Sequence, residues 1–260
     1  MTNTTTARGY QGNGKGSLEG AVIAVAGAAG PAGSATLLRL AEEGATVVAA
    51  DADAERLAHA VDGARFAHGG ATVTGDTVDL LDLAATREWA ARTEKEFGHV
   101  HGLVHLVGGW RGSATFAETD LADWDVLHNL LVRTVQHTSL AFEAPLLRSG
   151  NGRYLLISAA GASKPTAGNA AYAASKAAAE AWTLALGDAF RKAGGDAGPP
   201  AAAAILVVKA LVNDQMRADR PQAKFAGFTD VKDLADAIAG TWSTPTEEVN
   251  GNRLWLTPKP

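Results

Sequence analysis

A three-layer α/β fold, a doubly wound parallel sheet of seven strands with helices on both faces, is predicted by the pattern of the 260 residues. Three observations predict it. From Gly20 onward, short apolar runs alternate with longer amphipathic stretches, the mark of repeated strand–helix units. The runs are rich in Val, Ile, Leu and Ala with little polar alternation, as strands covered by helices on both faces require. Hydrophobic residues make up 47% of the chain and charged residues 20%, enough apolar surface for one large core.

The strands are expected at 21–26, 46–50, 72–78, 102–107, 153–157, 203–208 and 253–256, with helical patterns in most of the gaps. Residues 1–19, rich in Thr, Asn and Gly, are expected to be a flexible tail, and 20–260 a single domain. The Gly- and Pro-rich stretch 192–200 reads as a surface loop before the sixth strand. No apolar run approaches a bilayer span and no leader is visible, which predicts a cytoplasmic protein without a membrane partner. The net charge of -5 is spread without like-charge runs, which excludes a nucleic-acid footprint. Cysteine is absent, and with it thiolate catalysis, disulfides and cysteine metal sites.

The first strand runs into Gly27-Ala28-Ala29-Gly30-Pro31-Ala32-Gly33 and then a helix expected over 34–43. A tight turn without side chains lets backbone N–H groups and the helix N-terminus approach a pyrophosphate. Such a turn also serves plain helix–strand packing, so Asp51 at the end of the second strand matters more. A carboxylate there accepts both hydroxyls of an adenosine ribose and repels a 2′-phosphate, favouring NAD (NADH) over NADP. The plainer role for Asp51 is to cap the helix that starts near Asp53.

The segment Tyr172-Ala173-Ala174-Ser175-Lys176 lies in a stretch expected to be helical over 169–192. Its spacing puts Tyr172 and Lys176 on one face, where a neighbouring ammonium should favour tyrosinate and let the phenol exchange a proton with a substrate oxygen. Ser158 stands at the C-terminal end of the fifth strand, where ligands collect in open parallel sheets. Its hydroxyl can bind a carbonyl or alcohol oxygen, or simply serve the turn before Gly161.

With these residues in order, the chain from Leu18 to about Leu256 resembles the short-chain dehydrogenase/reductase family. The resemblance implies a Rossmann-like sheet in the order 3-2-1-4-5-6-7 and a catalytic set of Ser158, Tyr172 and Lys176. Ser158 would position substrate, Tyr172 act as acid/base, and Lys176 bind the nicotinamide ribose. It implies that Gly27, Gly30, Pro31, Ala32, Gly33 and Asp51 hold the dinucleotide. Asp79 and Leu80 would border the adenine, and Val107, Gly108 and Val212 would add further contacts.

The departures are specific. Pro31 stands at a glycine position of the turn. His105-Leu106-Val107-Gly108 replaces Asn-Asn-Ala-Gly after the fourth strand, which should remove polar support from beneath the cofactor. Leu131 occupies the place of the helical Asn, and Ala210-Leu211 that of Pro-Gly. Val107-Gly108-Gly109-Trp110 resembles dihydropteridine reductase, and Trp110 or Trp182 offers a ring for stacking.

The expected function is hydride transfer between NAD(H) and a small carbonyl or alcohol substrate. The alternatives are a pteridine-type reductase and a dinucleotide-binding module without turnover. His99, His101 and His105 complete no ligand set, so no metal is expected. Arg217, Arg220 and Lys224 fall in the segment expected to enclose substrate, where they would attract an acidic one or stay solvated. A homodimer or homotetramer is implied by the resemblance, with the helices around 124–147 and 169–192 as pairing faces.

Overall fold

The computed structural model describes residues 18–259, so most of the expected tail lies outside the described residues. The strands are β1 Val22–Ala26, β2 Thr46–Asp51, β3 Val73–Thr77, β4 Gly102–His105, β5 Gly152–Ala159, β6 Ala201–Val208, β7 Leu211–Val212, β8 Thr229–Asp230 and β9 Arg253–Trp255. The helices are α1 Pro31–Glu42, α2 Ala54–Ala67, α3 Leu83–Phe97, α4 Leu121–His128, α5 Thr134–Ser149, α6 Ala170–Gly194, α7 Asp214–Asp219, α8 Val231–Gly240 and α9 Thr246–Val249. Seven strands form one parallel sheet in the order β3-β2-β1-β4-β5-β6-β9, with β9 in the place of the seventh expected strand.

Alternation along each strand divides the core between two layers. In β1, Ile23 and Val25 face Leu37 and Leu40 of α1 and Leu234 and Ile238 of α8. Val22, Ala24 and Ala26 face the opposite layer, where Trp89 of α3 meets Phe142 of α5 edge-on, their centroids 4.9 Å apart. Both faces of the sheet are thereby dry, which accounts for strands that read as nearly unbroken apolar runs. Among the described residues, no helix is long and apolar enough to cross a membrane.

The boundaries differ from expectation where backbone bonding changes. β4 stops at His105, and the following residues peel away from β5. β5 and β6 extend further than expected and pair along their full length, Gly152↔Ala201 through Ala159↔Val208. A separate two-stranded ladder joins β7 to β8, Leu211↔Thr229 and Val212↔Asp230, folding the intervening segment back over the sheet edge. A π turn, Asn129–Arg133, links α4 to α5. Leu131 within it is buried while Asn129 is exposed, so neither supplies a buried amide.

Two large polar side chains inside the core are fully engaged, whereas Trp89 Nε1 and Ser175 Oγ are buried without a hydrogen-bond partner among the described residues. Arg153 is buried and spends its guanidinium on the carbonyls of Gly152, Thr241 and Thr244 and on Thr246 Oγ1, tying β5 to the turn after α8. His105 is buried beneath the carboxyl edge of the sheet, with Nε2 3.2 Å from Thr134 Oγ1 and Nδ1 3.1 Å from Thr138 Oγ1. Thr134 and Thr138 also donate to the carbonyls of Leu130 and Thr134, so the imidazole is built into the hydroxyl network of α5. The substitution of His105 for asparagine therefore keeps polar support in this layer, contrary to the loss expected from the sequence.

Burial, reinforced by the charge of Lys176, pushes the His105 pKa from 6.5 down to about 3. Between those values the unfolded chain binds a proton that the folded chain refuses, so stability rises with pH across the window and is lost on acidification. His105→Gln should unfold less steeply with acid between pH 6.5 and 3, flattening the loss by on the order of a few kcal/mol in denaturant titrations. An unchanged acid slope would show that His105 does not carry it.

Candidate active site

The carboxyl ends of β1, β4, β5 and β6 open into one cavity of about 930 Å³. Gly27, Gly30, Pro31, Ala32 and Gly33 line one side of it, and Ser158, Tyr172 and Lys176 line another. Val107, Gly108 and Val212 join them, so eleven of the fourteen residues expected at the site share this space. Asp51, Asp79 and Leu80 lie outside the lining.

The turn from β1 to α1 depends on its glycines. Gly27 adopts φ +81°, and a Cβ there would stand 2.6 Å from the backbone N of Val107. A Cβ on Gly33 would stand 2.4 Å from the carbonyl oxygens of Gly27 and Ala28. α1 begins at Pro31, three residues before the expected start, because proline is pre-set for the first helical position and gives up an N–H that would be unbonded anyway. Gly30 caps the helix with no side chain, and the first turn holds no acidic residue. The N–H groups of Ala32 and Gly33 thus have no side-chain cap, and both residues line the cavity, a fit for the pyrophosphate of a dinucleotide.

Asp51 does not cap α2; Asp53 does, accepting from the Arg56 N–H at 3.0 Å. Asp51 instead ties β2 to the glycine turn, Oδ2 accepting from the Ala29 N–H at 3.0 Å and Oδ1 from the Asp53 N–H at 3.2 Å. Each oxygen keeps a lone pair for a further donor. Asp79 accepts from the Leu81 N–H, and the Leu80 carbonyl is 2.9 Å from His137 Nδ1.

The reacting end is tied together between β5 and α6. Lys176 Nζ, buried, donates to the Ile157 carbonyl at 2.8 Å. One helical turn on, Glu180 Oε1 accepts the Ser158 hydroxyl at 2.6 Å, and its Oε2 accepts from Arg253 Nε of β9 at 2.6 Å. Burial lowers the Lys176 pKa to about 8, with the charge of Glu180 opposing the shift.

Burial also raises Tyr172 to about 12, where the Tyr172/Lys176 spacing predicted a lowered phenol. Desolvation of the phenolate is the cause. Glu180 and Arg253 carry no motif in the sequence; the one signal for Glu180 is that it follows Lys176 by four, on the same helix face.

Of the two tryptophans, Trp110 lines the cavity with 66% of its surface exposed. Trp182 does not: it sits on the outward face of α6 and donates to Ser139 Oγ at 2.8 Å. Arg217 is paired with Asp230 and Asp214, and neither it, Arg220 nor Lys224 lines the cavity.

The short chain dehydrogenase family model matches residues 21–194. Subunit BbsD of (2S)-[(R)-hydroxy(phenyl)methyl]succinyl-CoA dehydrogenase from Thauera aromatica is 32% identical over 177 residues, covering 68% of this chain and 70% of that one. Among solved structures, the NADPH-bound short chain oxidoreductase of Pseudomonas aeruginosa PAO1 superposes with TM-score 0.80 at 24% identity, over 90% of this chain and 94% of the other. NAD+-bound xylitol dehydrogenase superposes with TM-score 0.79 at 19% identity, over 92% and 98%. At these identities the two structures speak for the fold alone. The matches give no support to the narrower likeness of residues 107–110 to dihydropteridine reductase. With its family model, its sheet order and its cavity in agreement, the chain belongs to the short-chain dehydrogenase family, whose members are NAD(P)-dependent oxidoreductases.

Proposed function

We propose that the chain transfers a hydride between NAD(H) and a carbonyl or alcohol carbon of a small molecule, with Tyr172 exchanging the proton. The observation that carries this reading is the meeting of Ser158, Tyr172 and Lys176 with an uncapped glycine turn in one cavity. When bound, the nicotinamide supplies or receives the hydride. Tyr172, held neutral by burial, donates its proton to a carbonyl oxygen, and Lys176 one turn away stabilises the tyrosinate that results. In the reverse direction the alcohol's hydroxyl proton passes to the tyrosinate form of Tyr172, while Ser158, whose hydroxyl donates to Glu180, lines the same cavity. The relative from Thauera aromatica, named as a dehydrogenase of a hydroxy(phenyl)methyl compound, supports an alcohol carbon as the reacting centre.

The choice of NAD(H) over NADP(H) rests on Asp51, whose carboxylate disfavours a 2′-phosphate beside it. Arg56, donating to the Ala29 carbonyl at 3.2 Å, is the cation standing at that edge. The outward faces of α4, α5 and α6 expose Leu121, Trp124, Leu140 and Trp182, an apolar patch suited to pairing as a homodimer or homotetramer. Sedimentation should give the mass of a dimer or tetramer; a monomer at micromolar concentration would remove that part.

Calorimetric titration should show NADH binding more tightly than NADPH. In Asp51→Ala the preference should fall about tenfold or more, about 1.4 kcal/mol, as the repulsion is lost and Arg56 is left unopposed. A preference unchanged in the variant would take Asp51 out of the site. Tyr172→Phe should keep NADH affinity and lose turnover by roughly 10²–10⁴-fold on any carbonyl that the wild type reduces. Full turnover in that variant would remove the mechanism.

A further inference from the structure

Among the described residues, the charged side chains lining the cavity are Lys164, Lys176 and Lys209, and no acidic residue lines it. This is notable in a chain with 28 Asp and Glu against 23 Lys and Arg. Lys176 is accounted for by the Ile157 carbonyl and its place beside Tyr172. Lys164 and Lys209 take no part in that arrangement.

Their place in the sheet separates them from the pyrophosphate. The glycine turn follows β1, whereas Lys164 follows β5 and Lys209 follows β6. β5 and β6 lie two and three strands from β1, which at about 4.8 Å per strand is about 10 and 14 Å away. Both lysines therefore stand at the substrate end.

Lys209 is held in position. Its Nζ donates to the Ala226 carbonyl at 3.0 Å, and a Cβ on Gly227 (φ +75°) would come 3.3 Å from its Cδ. An ammonium has three donors, so two remain for a ligand, on a side chain already restrained. Neither Lys164 nor Lys209 forms a salt bridge with a carboxylate among the described residues. The Trp110 ring lies on the same lining and is packed over Gly112, where a Cβ would meet it at 2.7 Å. Gly112 also lies against Gly168, a Cβ on the former reaching the latter's carbonyl at 2.4 Å. The ring thus lies against Gly112 at the cavity with 66% of the residue's surface exposed, so a flat partner can reach it.

Accepting the hydride-transfer reading of the same cavity, we infer that its substrate is an anionic ring compound, the ring against Trp110 and the anion between Lys164 and Lys209. A cavity whose charges are all positive favours an anion and disfavours a cation.

Benzoate and benzamide, flat rings differing in charge, are the probes, titrated calorimetrically into the protein with and without NADH. Benzoate should bind at least about tenfold more tightly than benzamide, and Lys164→Met with Lys209→Met together should abolish the difference while leaving NADH affinity unchanged. Phenyl phosphate tests the same site with a second anion; tighter binding than benzoate, lost in the same double variant, would support the anion site and make it one for phosphate. Equal binding of benzoate and benzamide, a preference that survives the double variant, or no benzoate binding at about 10 mM would overturn the inference. Failure of NADH to bind the wild type would defeat the dinucleotide reading instead, and the benzoate titration without NADH would still report on the lysines.

Discussion

The site depends on how α6 is fastened to the end of β5. Lys176 reaches the Ile157 carbonyl and Glu180 takes the Ser158 hydroxyl, two bonds one helical turn apart that lock helix and strand in register. Arg253 brings β9 into the same arrangement through the second oxygen of Glu180. A carboxylate buried this deeply is costly unless both oxygens are bonded, and here both are. Ser158 and Lys176 are thereby fixed to the elements that carry them, as holding a reacting oxygen in one geometry requires.

The opposite wall is built by absence. Gly27 and Gly33 remove side chains from the turn that follows β1, so that the turn packs against the chain leaving β4 and the start of α1 faces the cavity. His105, at the end of β4, fills the layer below with a bonded imidazole. The two walls therefore rest on different physics, close backbone approach on one side and buried charge on the other. The wall of the glycine turn suits a phosphate and the wall of Ser158 and Tyr172 suits a reacting oxygen.

Much of this was legible in the chain. The seven-stranded sheet follows from apolar runs such as those of β1, β5 and β6, because strands buried on both faces leave no polar alternation to confuse the pattern. Tyr172 and Lys176 stand out by helical spacing, and the glycine turn by its place between strand and helix. Glu180 is not legible in this way, because a lone glutamate on a helix carries no signal until β5 and β9 are brought against it. The raised Tyr172 has a related origin: spacing shows that a cation is near, but not how deeply the phenol is buried. The β7–β8 ladder is too short to have a periodicity of its own.

Hydride transfer itself is tested most directly by single-turnover stopped flow, mixing the protein–NADH complex with a panel of cyclic carbonyl compounds, using NADH carrying protium or deuterium at the transferring C4 position. Loss of NADH absorbance in step with alcohol formation, slower with deuterium, is the predicted result. NADH that binds but is consumed with no member of the panel would contradict it, and would leave a chain that holds a dinucleotide without using it.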